Sequence, residues 1–112
     1  MRVATPCDGN QIAAHFGHAP QFAIFDTDPD TSTIKGEQFL QSPPHEPGRL
    51  PKWLAEHGTN VILAGGMGMR AKELFEQNGI TVVVGVGNMA PKEAVNAYLE
   101  GTLSSGTNLC DH

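Results

Sequence analysis

Apolar and polar positions fall into short runs along this chain, and the runs change character near residue 41. Before that point they read as strands. Arg2–Pro6 is short and β-prone, and Cys7-Asp8-Gly9-Asn10 follows as a turn cluster. Over Gln21–Thr27, Phe22, Ile24 and then Asp26 alternate with Ala23 and Phe25, the pattern of a strand partly covered on both faces. Asp28-Pro29-Asp30 closes it, and Thr31–Leu40 returns as a polar edge strand with Ile34 inward. An antiparallel opening is expected.

From Gln41 onward the period lengthens. Ser42-Pro43-Pro44-His45-Glu46-Pro47-Gly48 is a loop stiffened by its prolines. Leu50, Trp53, Leu54 and His57 then share one face of a short helix with Pro51 in its first turn, and Gly58 stops it. Asn60–Ala64 is an apolar run typical of a buried parallel strand, followed by Gly65-Gly66-Met67-Gly68-Met69-Arg70. Met67, Ala71, Leu74 and Phe75 form the next helical stripe, which Asn78-Gly79 terminates. Ile80–Val84 is a second buried strand, and Pro91 opens a last helix with Ala94, Val95, Tyr98 and Leu99 inward. Strands first, then helix–strand–helix–strand–helix, predict an α/β domain. Its mixed five-stranded sheet is flanked by about three helices, and its last two strands run parallel through a right-handed crossover. Periodicity ends at Gly101, so residues 1–101 are expected to form the domain and 102–112 a flexible tail.

Composition narrows the class. A chain of 112 residues has room for one core, and dense glycine with sparse charge argues against coiled coils and charge-rich disorder. Seven Lys and Arg against twelve Asp and Glu give a net charge of -5, which repels nucleic-acid phosphates and anionic lipid. Neither nucleic acid nor membrane is therefore expected as a partner. The start MRVATPCDGN has no apolar leader-like run, and the longest apolar stretches fall short of a bilayer span, so the chain reads as cytoplasmic. Its two cysteines are then thiols or metal ligands rather than a staple, and its five histidines carry more information.

Several groups could carry chemistry. His15-Phe16-Gly17-His18 lies on the loop before the second strand; its imidazoles could hold a metal, or one could cap the loop while the other is solvated. His45, in the proline-rich loop, is open to the same two uses. Cys110 and His112 fall on one side of an extended segment and could reach a soft or borderline metal, or be incidental residues of the tail. Cys7 is a further candidate ligand, or a small half-buried apolar residue. The turn Gly65-Gly66-Met67-Gly68 offers N–H groups to an anion at a helix start, or lets backbones pack closely. It is neither a Walker loop nor a dinucleotide fingerprint. No nucleophile elbow or His-Glu-x-x-His is present, so an enzyme is not expected. The element order is similar to that of ribonuclease H-like folds, whose nucleases need carboxylates at the centre of the sheet; Arg2–Pro6 and Asn60–Ala64 contain none.

Met1–Gly9, His15-Phe16-Gly17-His18-Ala19-Pro20 with Phe22–Asp26, the Gly65–Arg70 turn, Asn78-Gly79-Ile80 and Val82–Gly85 together resemble the dinitrogenase iron-molybdenum cofactor biosynthesis family. The resemblance runs in order through the Pro91–Gly101 helix. It implies a ribonuclease H-like α/β fold without nuclease activity. It also implies binding or carriage of a metal–sulfur cluster, molybdenum with iron or copper, exchanged with a donor or acceptor protein. His15, His18, His45, Cys110 and His112 become the candidate metal ligands, and Gly65, Gly66, Met67 and Gly68 the border of the pocket. Cys7 stands where a serine is more usual and adds a candidate thiolate. Such clusters are commonly anionic, and local dipoles and imidazoles can hold one despite the acidic surface. The alternatives are a small-anion or phosphate-binding regulatory module without metal, and an interaction domain whose edge strand pairs with a second copy. The chain is accordingly expected to be a monomer or a weak homodimer.

Overall fold

The computed structural model describes residues 1–13, 19–28, 30–44, 48–86 and 89–103. In chain order the elements are β1 (Arg2–Asp8), β2 (Gln11–Ile12), β3 (Gln21–Asp28), β4 (Thr33–Gln41), α1 (Arg49–Glu56), β5 (Val61–Leu63), α2 (Met69–Gln77), β6 (Thr81–Val83) and α3 (Pro91–Glu100). The strands form one mixed sheet in the order β4-β3-β1-β5-β6, with β2 paired to β1 off that path. The β4–β3–β1 half is antiparallel, and β1, β5 and β6 run parallel. This is a single α/β domain, compatible with the ribonuclease H-like arrangement that the resemblance implies.

The expected five strands become six. Gly9, at a φ of 66°, turns the chain so that Cys7 and Asp8 pair with Ile12 and Gln11. A two-residue strand is too short for alternation to mark it. β1 also continues through Pro6, where the sequence suggested a stop. The Thr27 N–H donates to the Met1 carbonyl (2.8 Å), so by antiparallel alternation the even residues of β1 turn their backbone groups away from β3. Pro6 therefore lacks its N–H on the side away from β3, beyond the last β1–β5 pairing at Ala4. Its carbonyl there accepts from the Ala13 N–H (2.8 Å), so only the reciprocal bond to Ala13 is given up and the β1–β3 ladder is intact.

Each strand sorts its residues between two cores. Ala4, Phe22, Ile24 and Ile62 pack against Leu54 of α1 and Phe75 of α2 on one face. Val3, Cys7, Ala23, Phe25, Val61 and Leu63 pack against Ala94 and Val95 of α3 on the other. The alternation read over Gln21–Thr27 thus reflects a sheet covered on both sides. Gly58 and Gly79 stop α1 and α2 in the left-handed region, at φ 74° and 78°. Beyond α3, Thr102 and Leu103 still donate to the Ala97 carbonyl, and Leu103 packs on the α3-side core. Among the described residues no helix is long and apolar enough to cross a membrane.

Candidate functional site

The parallel register sends β1, β5 and β6 out at one end of the sheet. Ligands of open α/β sheets settle beyond such carboxyl ends, where connections diverge. Four connections meet here: those after β1–β2, after β4, after β5 and after β6. They are joined by backbone bonds. The Ile12 N–H reaches the Met89 carbonyl (3.1 Å), and the Gly85 N–H reaches the Gly65 carbonyl (3.0 Å).

The tightest junction links the β2–β3 connection to the β4–α1 connection. The Ser42 N–H donates to the Pro20 carbonyl (3.1 Å), and its hydroxyl donates to the Ala19 carbonyl (2.6 Å). Ala13 and Ala19, which flank residues 14–18, are both buried in the α1/α2-side core. Sequence reasoning does not single out Ser42. The only signal was a serine between a strand end and a Pro-Pro pair, because the bond joins positions 23 residues apart.

The glycine turn is not uniform. Gly65, Gly66 and Met67 are buried, and Gly68 is exposed. The Gly65 carbonyl is used structurally, holding Gly85 in its left-handed conformation. Met67 belongs to the α1/α2-side core but precedes α2, which begins at Met69, so its helical spacing from Ala71 is not that of a shared helix. Gly68 is the N-cap of α2, has an ordinary extended conformation (φ −67°, ψ 156°) and makes no side-chain capping bond. A Cβ there would meet nothing within 4 Å. Neither backbone conformation nor packing demands glycine at this position. What its small size provides is open access to first-turn N–H groups, where the helix dipole favours an anion. Met69, next to it, is 71% exposed.

Cys7 is fully buried on the α3 side, and its Sγ donates to the Thr5 carbonyl (3.4 Å). Burial pushes its pKa up, against smaller opposing contributions from the Thr5 hydroxyl and the Ala23 backbone. In the folded protein it is a neutral core thiol, as the apolar reading of Cys7 expects. His57 lies at the opposite end of the sheet. Its carbonyl accepts from Arg2 at the start of β1 (2.7 Å), and its Nδ1 lies 2.8 Å from the Trp53 carbonyl. Asp26 is paired with Arg2 (2.7 Å), and Asp28 accepts from the Asp30 N–H with Lys35 nearby. Among the described residues no group of three His, Cys, Asp or Glu side chains could hold a metal ion. His15, His18, His45, Cys110 and His112 lie outside the described residues, as do 104–112 of the expected tail.

Fold and loop cluster together define a small α/β domain in which the connections after β1–β2, β4, β5 and β6 gather at one end of a mixed sheet. Residues 1–101 match the family model described as dinitrogenase iron-molybdenum cofactor, and the chain belongs to that family. It is 29% identical over 108 residues to an uncharacterised protein of Methanocaldococcus jannaschii, covering 92% of this chain and 89% of that one. The crystal structure of PH0822 superposes with a TM-score of 0.88 at 30% identity over 97% of each chain. The apo form of the orange protein from Desulfovibrio gigas shares the fold, with a TM-score of 0.73 at 22% identity over 96% of this chain and 93% of that one.

Proposed function

We propose that this protein holds a metal–sulfur cluster, molybdenum with iron or copper, and passes it between a donor and an acceptor protein without catalysing a reaction of its own. Family membership supports the cargo class. The observation that carries the site is the Ser42 junction with Ala19 and Pro20. His18 is one residue from Ala19 and His45 three from Ser42. At roughly 3.5 Å per residue, covalent reach alone keeps the Cα of His18 within about 4 Å of that of Ala19 and the Cα of His45 within about 11 Å of that of Ser42. In this reading His15, His18 and His45 are ligands on connections that open to exchange, and Cys110 and His112 add donors from the C-terminal segment. Anionic sulfide faces of the cluster meet the N–H groups at Gly68. Few ligands on connections suit cargo that must leave again.

Anaerobic reconstitution with tetrathiomolybdate and copper, or with iron and sulfide, is expected to give a stoichiometric visible chromophore. His15→Ala and His45→Ala are expected to lose it more readily than His57→Ala, whose ring lies at the other end of the sheet. A protein that stays colourless and metal-free would overturn the proposal. Phosphate-dependent thermal stabilisation that ignores the histidine substitutions would favour the simple anion-binding module instead.

Gly68→Ser separates folding from cargo. Serine supplies the missing N-cap oxygen, so stability is expected to hold or rise by a few tenths of a kcal/mol. The same hydroxyl competes for the N–H groups offered to the cluster, so retention is expected to fall. Thermal melts paired with absorbance after gel filtration read both effects, and unchanged retention would remove this turn from the site.

A further inference from the structure

We infer that β4 is a homodimerisation edge, pairing antiparallel with β4 of a second copy about a two-fold axis through Phe39. Among the described residues β4 pairs only with β3, and it ends the strand order. The Ser42 N–H bond to the Pro20 carbonyl extends the β3–β4 register by one pair and sets its alternation. Gly36, Gln38 and Leu40 direct their backbone groups to β3. Glu37, Phe39 and Gln41 direct theirs outward.

A break in register limits where a second strand can lie. Asp26 pairs with Gly36 and Thr27 with Ile34, leaving Lys35 as an extra residue in β4. A bulge carrying a lysine is a common guard against edge pairing. The guard covers the first part of the strand and leaves Glu37–Gln41 unbroken, with Phe39 at its midpoint. Two-fold pairing about Phe39 sets Phe39 against its counterpart and Glu37 against Gln41, each pair exchanging both backbone bonds. No like charges meet. A centre at Glu37 would oppose two carboxylates and run the second strand into the bulge.

The side chain at that centre is an aromatic ring. Phe39 is 56% exposed and lies on the α3 side with Phe25 and Glu37, lining a cavity of about 310 Å³. An aromatic pair across the axis would add to the backbone bonds. The contact spans a single short strand, well below the area of an obligate interface, so the dimer is weak and concentration-dependent.

Sedimentation equilibrium on the full chain, from about 10 µM to about 1 mM, is expected to show average mass rising from monomer toward dimer. In an ¹⁵N dilution series the amides of Glu37, Phe39 and Gln41 should shift with concentration, and those of Gln38 and Leu40 should move less. Phe39→Pro removes the axial N–H donor and the ring without touching a β3 bond, and should weaken association at least about tenfold. Phe39→Lys keeps the backbone donor, sets two cations together and should also abolish the dimer. A chain monomeric across the range, or a dimer persisting in both variants, would overturn the inference. So would dimerisation seen only after truncation following Leu103, since residues 104–112 would then be what occupies the edge.

Discussion

Phe22→Ala is expected to lower the unfolding free energy by about 3–5 kcal/mol and to loosen with it the end of the sheet proposed to hold the cluster. Phe22 is wholly buried, pairs with Pro6 and Leu40 across the sheet and packs on the α1/α2 side. Its ring meets Trp53 edge-on, with centroids 5.8 Å apart and planes at 68°. Truncation therefore costs transfer free energy, an aromatic contact and a cavity that α1 cannot readily fill. For a domain of this size the midpoint should fall by on the order of 15 °C. Urea titration should show a lower midpoint at unchanged slope. Phe22 also follows Gln21 directly after the Pro20 junction, and Trp53 anchors the helix that the proline-rich connection enters. Chromophore retention should therefore fall even at temperatures where the variant is folded. A loss below about 1 kcal/mol would contradict the packing described for this face. Phe22→Leu, which keeps most of the volume, should lie between the variant and the parent chain.

The same residues show how much was legible beforehand. The apolar runs at Asn60–Ala64 and Ile80–Val84, the stripe of α1 and the stops at Gly58 and Gly79 all follow from local periodicity and turn chemistry. They match the observed elements to within one or two residues at the ends. β2 was hidden because two residues carry no period, and the passage of β1 through Pro6 depends on which neighbour its missing N–H would have faced. Met67 imitated a helix position by spacing alone, although its burial comes from the turn before the helix. At the candidate site, the motif residues could be grouped from sequence, but their separate roles could not. Gly65 is committed by a bond from Gly85, and Gly68 is left open, because β6 runs beside β5. The Ser42 bond to Ala19 is likewise a product of the β3–β4 register. Local chemistry marked the connections, and long-range pairing decided which of them are tied together.

Cys7 offers the sharpest test of that division between core and site. In a Cys110→Ser background, where Cys7 is the only thiol, labelling at pH 8 should run at least about a thousandfold slower than for a free cysteine. The Sγ is sealed in the α3-side core, so reagent reaches it only through opening of the domain. Urea past the unfolding midpoint should restore the full rate. The pH dependence has a definite sign. Burial raises the folded thiol's pKa, so folded and unfolded chains bind the same proton below the ordinary thiol range. Above that range the unfolded chain ionises first, and stability falls with a slope approaching about 1.4 kcal/mol per pH unit until the folded thiol titrates as well. Cys7→Ser should remove this alkaline component, read as the difference between the two chains' urea midpoints at pH 8 and pH 10. Under the proposed function its reconstituted chromophore should match the parent's, because a neutral thiol facing α3 would take no part in holding a cluster. Rapid labelling of the folded chain, or a chromophore lost with Cys7→Ser, would instead make Cys7 a ligand and place the cargo on the α3 side of the sheet.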